Sequence, residues 1–223
     1  MKVDEDNDII AFSRSEISIL DDYFTGTNAE TAYMLGRCCG LRINECYGLK
    51  WDHIDIENGV IYIDRQMQYQ EGLIKLVPLK TRNARRKIYM SERLKNYLAK
   101  LKLSVSEYAE KYKLQREQNK TIITDIDGSR LSSLELVNSL PNGKIQTINS
   151  MKFHSQKIKA VCGIAFKYHY LRHTYGTQLA ELNTPLHILC NQMGHGNSQV
   201  TQKYYLAISD QGISKLLSNL ENI

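Results

Sequence analysis

The sequence lacks the features that mark secreted, disulfide-rich and membrane-spanning proteins. Its five cysteines are odd in number and show no C-x-x-C spacing, so neither a disulfide framework nor a zinc ribbon is indicated. No apolar run approaches the roughly 20 residues that a membrane helix needs. The acidic start Asp4-Glu5-Asp6 is unlike a signal peptide. We therefore expect a cytoplasmic protein.

Metal ligands are also scarce. His187, Cys190 and His195 lie close in sequence, but no fourth ligand is evident and no carboxylate cluster is apparent, so we expect no metal site. Internal repeats and low-complexity segments are absent as well. The chain has 223 residues, 42% of them hydrophobic and 24% charged, which predicts a globular protein of one large or two small domains.

The net charge of +5 favours an acidic partner only weakly, because many proteins without such a partner are equally basic. The distribution of charge is more informative, since residues 75–102 contain only one acidic residue, Glu92, among many cations. Such a run suits a phosphate backbone. On charge alone, a DNA-binding surface and a solvated hairpin face remain equally good interpretations.

Residues 1–11 are acidic and unpatterned, and we expect a linker or tail there. A capping box at Ser13 and Glu16 predicts a helix to about Phe24, and a second one at Thr27 and Glu30 predicts a helix that stops near Gly40.

From residue 51 the hydrophobic period becomes alternating. This predicts strands over residues 52–56, from 60 to as far as 69, over 73–79 and over 85–90, with Lys80 at or beside a hairpin tip. Helical spacing predicts helices over residues 91–118, 147–162, 169–181, 185–193, from 198 and over 210–220, besides a short one at 132. The fold class is therefore α+β and mainly helical, with a small three-stranded antiparallel sheet.

Two groups of polar residues suggest a phosphate site. His169 and Arg172 are three apart on the first turn of a helix, so both side chains can face one pocket, where an imidazole and a guanidinium would meet a phosphate. Arg42 lies in a tight turn between apolar residues, and a buried arginine needs anionic partners. Glu45, three residues later, is placed to orient it.

These residues belong to motifs that resemble the catalytic domain of the tyrosine recombinases, also called phage-type integrases. The matching segments are Gly40-Leu41-Arg42-Ile43-Asn44-Glu45, Lys80, His169-Tyr170-Leu171-Arg172-His173-Thr174, Met193-Gly194-His195-Gly196 and Thr201-Gln202-Lys203-Tyr204. The resemblance extends from about residue 12 to the end of the chain, so residues 12–223 would form the catalytic domain. It implies an activity on DNA, which composition and periodicity do not show.

The resemblance implies a role for each residue type. Arg42 and Arg172 would clamp the negative charge that grows on a phosphodiester during in-line displacement. Tyr204 would be the nucleophile, forming a 3′-phosphotyrosine with one DNA strand. Tyr205 is a rival by position alone, since one helical step turns a side chain by about 100°.

Proton transfer and support are assigned in the same way. Lys80 would protonate the departing 5′ oxygen, His169 would assist proton transfer from the tyrosine, and His195 would donate a hydrogen bond to the phosphate. Glu45 would support Arg42 and His169 from behind. His173 would have a structural role or would support the catalytic residues without taking part in the reaction. The remaining cations would grip the DNA backbone: Arg82, Arg85, Arg86 and Lys87.

By resemblance, the chain would recombine double-stranded DNA as a homotetramer without cofactor, metal or ATP, with an accessory DNA-bending or directionality protein as a further partner. Members of the family usually carry an additional N-terminal DNA-binding domain, and we expect that domain to be absent here because the resemblance begins at about residue 12. It would therefore be the catalytic fragment of a mobile-element or phage integrase, or a compact member such as the fimbrial-switch invertases. Competing interpretations are a type IB topoisomerase-like relaxase, a non-catalytic DNA-binding module and, least favoured, a metal-dependent nuclease.

Overall fold

Helices account for most of the regular structure. A computed structural model of the chain describes residues 9–70, 72–119, 121–205 and 220. The helices are α1 (Arg14–Phe24), α2 (Glu30–Cys39), α3 (Ile43–Tyr47), α4 (Glu92–Lys111), α5 (Lys113–Gln118), α6 (Ile148–Cys162), α7 (Tyr168–Glu181) and α8 (Leu186–Met193). Residues 198–205 are also helical. The helix predicted over residues 210–220 and most of the predicted tail lie outside the described residues.

The strands form two sheets. They are β1 (Ile54–Asp55), β2 (Val60–Ile63), β3 (Arg65–Gln70), β4 (Leu73–Pro78), β5 (Arg86–Tyr89), β6 (Ile122–Thr124) and β7 (Arg130–Ser132). The order β1-β2-β5 makes a three-stranded antiparallel sheet, which confirms the predicted fold class. A second, mixed sheet of order β3-β4-β6-β7 was not predicted.

The pairing of the strands corrects two expectations. The predicted strand from residue 60 to 69 breaks at Asp64, which accepts a hydrogen bond from Arg65 Nε at 2.8 Å, and its two halves enter different sheets. β5 pairs with β2 rather than β4, with Ile88 opposite Ile61. Lys80 therefore does not lie at a hairpin tip; it lies in the connection that passes from one sheet to the other.

Helix boundaries agree with the sequence in most places. The capping box at Ser13 and Glu16 is confirmed, with Ser13 N donating to Glu16 Oε2 at 2.8 Å. The box at Thr27 is wrong, because α2 begins after Ala29 and the Thr27 hydroxyl donates to the Phe24 carbonyl at 2.8 Å. The helix predicted over residues 91–118 is interrupted at Tyr112. No helix in the described ranges is both long and apolar enough to cross a bilayer.

Helix α2 lies at the centre of the hydrophobic core and fixes α7. Most of its residues are buried, which suits a helix that packs on several sides. Gly36 lies where α2 meets α7, and a Cβ there would stand 2.9 Å from both Leu171 Cδ1 and the Tyr168 ring. This close approach sets the position of the first turn of α7, which carries His169 and Arg172.

Gly48 provides a test of the packing between α3 and β3. A Cβ at this position would lie 2.6 Å from the backbone nitrogen of Met67, and backbone atoms cannot move aside. We expect Gly48→Ala to lower the free energy of unfolding by about 1–3 kcal/mol in chemical denaturation. The control is Gly196→Ala, whose Cβ would make only an ordinary contact at 3.6 Å. Equal stability of the two variants would contradict this packing.

Candidate active site

One cleft of about 770 Å³ gathers the predicted catalytic residues. It lies between α3, the connection from β4 to β5, the first turns of α7 and the segment after α8. Its lining includes all six residues expected to take part in catalysis and both expected supporting residues: Arg42, Lys80, His169, Arg172, His195, Tyr204, Glu45 and His173. Residues separated by more than 160 positions in the sequence are thus brought to one site.

Arg172 is held by the ends of two helices. Its side chain is 1% exposed, and it donates one hydrogen bond to the Gly40 carbonyl at 2.6 Å and another to the Met193 carbonyl. These carbonyls terminate α2 and α8, where carbonyl groups lack helical partners and carry partial negative charge. Gly40 ends α2 at φ 59°, a left-handed conformation that favours glycine. The two helix ends therefore fix the guanidinium.

Glu45 is the carboxylate that pairs with the arginines of this region. It is 1% exposed and accepts hydrogen bonds from Arg42 at 2.9 Å and from both terminal nitrogens of Arg86 at 3.0 and 2.8 Å. Burial alone would raise its pKa, but Arg86, Arg42 and Arg172 outweigh burial and lower the pKa to about 2. The Arg42 side chain remains 40% exposed, so it keeps a face toward the cleft.

Arg86 departs from its expected position. Its side chain is 4% exposed, and besides Glu45 it contacts the Ala84 and Gln192 carbonyls. It is therefore a buried partner of Glu45 rather than an exposed cation for the DNA backbone. The alternation of β5 could have predicted this burial, because Arg86 shares a face with Ile88, which is fully buried.

The other cations of this run lie at the surface or in the connection. Arg85 and Lys87 are exposed, as a role in binding a DNA backbone requires, and Lys87 Nζ lies 5.2 Å from the Tyr89 ring centroid. Arg82 begins the short 3-10 helix Arg82–Ala84. Lys80 is exposed at the cleft, between Leu79 and Ala84, which are both buried and anchor its connection.

His195 is oriented by a residue that the sequence interpretation missed. Its Nδ1 lies 2.8 Å from Thr201 Oγ1, which also accepts a hydrogen bond from Cys190 Sγ at 3.1 Å. Thr201 is fully buried and precedes Tyr204 by three residues on the same helical face. This spacing could have predicted that Thr201 lies on the same side of the helix as Tyr204.

Both expected catalytic histidines are neutral near pH 7. Burial, followed by the charges of Arg172 and Arg42 among others, lowers the pKa of His195 to about 3. Burial, then His173, Arg172 and Arg42, lowers the pKa of His169 to about 4. A neutral imidazole can donate one proton and accept another, which suits both the hydrogen-bonding and the proton-transfer roles.

Tyr204 and Tyr205 face different surroundings. The Tyr204 side chain lines the cleft, is 3% exposed and stacks on His195 with ring centroids 6.3 Å apart. The Tyr205 hydroxyl donates to the Thr184 carbonyl, outside the residues that line the cleft. Burial raises the pKa of Tyr204 despite the opposing effect of Arg172 and Arg42, so its hydroxyl is protonated at neutral pH. Tyr204 is the phenol that the cleft presents.

The sequence matches the profile described as the Phage integrase family over residues 2–211. The chain belongs to the phage integrase family. A curated relative, a tyrosine recombinase XerC-like protein of Caldanaerobacter subterraneus subsp. tengcongensis, is 26% identical over 98% of this chain and 55% of its own length. The integrase of Staphylococcus phage L54a is 24% identical over 82% of this chain and 49% of its own length. This family member thus spans about half the length of the curated relatives it matches.

Solved structures share the fold of this integrase-family chain. The Tn1549 transposon integrase in complex with circular intermediate DNA superimposes with a TM-score of 0.69 at 21% identity, covering 96% of this chain and 69% of that one. The XerA recombinase superimposes with a TM-score of 0.58 at 16% identity, covering 88% and 60%. At these identities the likeness shows the fold.

The cleft of this family member carries an excess of positive charge. Among the described residues that line it, Glu45 is the one carboxylate, whereas Arg42, Lys80 and Arg172 are cationic. Across the described ranges, no group of three or more His, Cys, Asp or Glu side chains is arranged to hold a metal ion. A partly buried cleft with unbalanced cations attracts an anionic group.

The lowered pKa of Glu45 predicts a pH-dependent stability. Because its pKa falls from 4.5 to about 2 on folding, ionised Glu45 stabilises the fold above about pH 5, and this contribution is lost as the pH falls toward 2. We expect Glu45→Gln to cost about 3 kcal/mol at pH 7, and the gap from wild type to shrink at pH 3. Chemical denaturation at both values measures it. Glu57→Gln, at an exposed position, should show little gap, and a gap for Glu45→Gln that is independent of pH would contradict the ion pairing.

Proposed function

We propose that this chain cleaves and rejoins double-stranded DNA at specific sites through a 3′-phosphotyrosine at Tyr204. The observation that carries the proposal is the cleft itself, where a buried phenol, two guanidinium groups and neutral imidazoles line one cavity. A phosphodiester in that cavity would lie against Arg42 and Arg172, whose hydrogen-bonded positions are set before the substrate arrives. Preorganised cations of this kind stabilise the charge of the transition state.

The chemistry follows from the groups present. The Tyr204 oxygen attacks phosphorus, the bond from phosphorus to the 5′ oxygen breaks, and Lys80 gives that oxygen a proton. His195 donates a hydrogen bond to a non-bridging oxygen, and His169 assists the transfer of the tyrosine proton. A free 5′ hydroxyl from a partner duplex then attacks the phosphotyrosine and releases Tyr204. The covalent bond stores the energy of the broken phosphodiester, so ATP is not required.

The partners belong to the same proposal. The Tn1549 integrase structures contain DNA, and the excess of cations in this cleft supports double-stranded DNA as the substrate here. We assign residues 12–223 to the catalytic domain and propose a homotetramer on two DNA sites, assisted by a DNA-bending or directionality protein. Arg85 and Lys87 are exposed and suited to contact the DNA backbone. The biological reaction is that of a mobile-element or phage integrase acting in the cytoplasm.

The decisive experiment traps the covalent intermediate. The chain is incubated with a pool of nicked duplexes of randomised core sequence. After cleavage, the short fragment that carries the free 5′ hydroxyl dissociates, so religation fails. Adducts that survive SDS are captured, their DNA is sequenced, and the modified residue is mapped by mass spectrometry. DNA retained only without SDS would indicate a binding module. Relaxation of supercoiled DNA without joint products from two selected duplexes would favour a topoisomerase.

Substitution of the two neighbouring tyrosines tests the nucleophile. We expect Tyr204→Phe to abolish the adduct, because phenylalanine has no oxygen to attack phosphorus. The matched control Tyr205→Phe should still form it, since that hydroxyl bonds to the Thr184 carbonyl and its loss costs only about 1 kcal/mol of stability. Quantification on denaturing gels measures both. An adduct that persists in Tyr204→Phe but disappears in Tyr205→Phe would reverse the assignment.

The role of Lys80 as a general acid is tested by changing the leaving group of the DNA. We expect Lys80→Ala to slow adduct formation by about 10²–10⁴-fold, as loss of a general acid does. A duplex with sulfur in place of the bridging 5′ oxygen should restore the rate, because a thiolate leaves without a proton. Lys87→Ala removes a nearby exposed cation and should weaken DNA binding without such rescue. If sulfur fails to rescue Lys80→Ala, the lysine acts only through its charge.

A further inference from the structure

His173 lies at the cleft without a place in the chemistry described above. It follows His169 by one helical turn on α7, and the two rings pack edge to face with centroids 4.5 Å apart. Its ring also lies 6.2 Å from that of Tyr204, at an interplanar angle of 70°. His173 therefore adjoins the proposed nucleophile directly. Which of its two ring nitrogens carries a proton determines what it can do there.

The beginning of the described chain binds α7 at this residue. We call residues 9–12 the N-terminal strap. Phe12 N donates to Thr174 Oγ1 at 2.8 Å, and the Phe12 ring stacks on Phe166 with centroids 5.7 Å apart. The Ile10 carbonyl lies 3.2 Å from His173 Nδ1. The strap is thus joined to two successive residues of the helix that also carries Arg172.

The contact with Ile10 fixes the tautomer of His173. A carbonyl oxygen can only accept a hydrogen bond, so Nδ1 must carry the proton. Burial, opposed by the bond to Ile10 and reinforced by Arg172, lowers the pKa of His173, so the ring is neutral near pH 7. A neutral imidazole with its proton on Nδ1 has a free lone pair on Nε2. Nε2 is therefore the proton acceptor of this ring.

The other ring in contact with Tyr204 is engaged differently. His195 stacks face to face on the phenol at an angle of 7°, and its Nδ1 is held by Thr201. The His173 ring instead packs edge to face with the phenol, at an interplanar angle of 70°. The centroids of the two rings are 6.2 Å apart. Catalytic hydrogen bonds are often long before the substrate binds, and one bridging water can join two polar groups that are not in direct contact.

We propose that His173 Nε2 accepts the proton of the Tyr204 hydroxyl during cleavage, with His169 assisting as the ring in contact with His173, and that the N-terminal strap keeps the tautomer that makes this possible. This role rests on the proposed function. The O–H bond of Tyr204 breaks, an Nε2–H bond forms, and the resulting imidazolium keeps its Nδ1–H bond to the Ile10 carbonyl. The proton returns to the tyrosine oxygen when the phosphotyrosine is resolved. A DNA phosphate in the cleft places a negative charge beside the ring and favours the imidazolium.

Two isosteric substitutions separate proton acceptance from anchoring of the strap. His173→Asn places an amide N–H near the position of Nδ1, so it can still bond to Ile10, but it has no basic nitrogen at Nε2. His173→Gln reaches the Nε2 position and loses the bond to the strap. With the nicked duplex selected for wild type, we expect both variants to form the Tyr204 adduct about 10²-fold more slowly. A wild-type rate for His173→Asn would overturn the proposal and leave anchoring as the role.

A more acidic phenol provides the readout that a structural role would not change. Fluorotyrosine at position 204 ionises more readily and needs less help from a base. It should narrow the gap between wild type and His173→Asn, while thermal melting and DNA binding stay unchanged. An equal gap with either phenol, or a gap that narrows in His169→Asn instead, would refute the role of His173. A wild-type chain that forms no adduct with any duplex would refute the proposed function, and with it this role.

Discussion

The rest of the site depends on the burial of one guanidinium. Arg172 is almost fully enclosed, and the charge it carries must be balanced without water. Carbonyls at the ends of α2 and α8 satisfy two of its donors, and Glu45 supplies the nearby negative charge. Burial and the neighbouring Arg42 and Arg86 lower the pKa of Arg172 to about 9, which still leaves it charged at neutral pH. The cleft therefore contains fixed cations whose balance is incomplete until an anion binds.

Burial together with this incomplete balance explains why the other groups take the forms they do. Burial, and after it the neighbouring charges, lower the pKa of His169 and His195, so both imidazoles are neutral and can donate one proton and accept another. Tyr204 remains protonated because burial outweighs the arginines. A bound phosphodiester would change the electrostatics of every one of these groups at once. The chemistry of the site is thus coupled to occupancy by its substrate.

Sequence reasoning located the residues of the site better than it located their neighbours. Motifs specified six residues that line one cleft, and helical spacing specified α1, α6 and α7 closely. Alternation showed that residues 60–63 and 86–89 are strands but not which strands pair, because the period of two records only which face is buried. The second sheet and the position of Lys80 depend on those pairings. The run of charges predicts Arg86 as a surface cation, because such a run carries no information on burial. Thr201 acts through contacts that form only in the folded chain.

The close packing of α2 on α7 at Gly36 has a consequence for how this molecule folds. Gly36 and its contacts in α7, Tyr168 and Leu171, are more than 130 residues apart in sequence. The turn that follows α2 carries Arg42, and α7 carries Arg172. Neither helix can complete the proposed phosphate site alone, so the two arginines come together only when the first and last thirds of the chain meet. Contacts of such long sequence separation form late, after the loop between them has closed. A nascent or partly unfolded chain thus has no assembled cleft, and the proposed reaction on DNA would be confined to the finished fold.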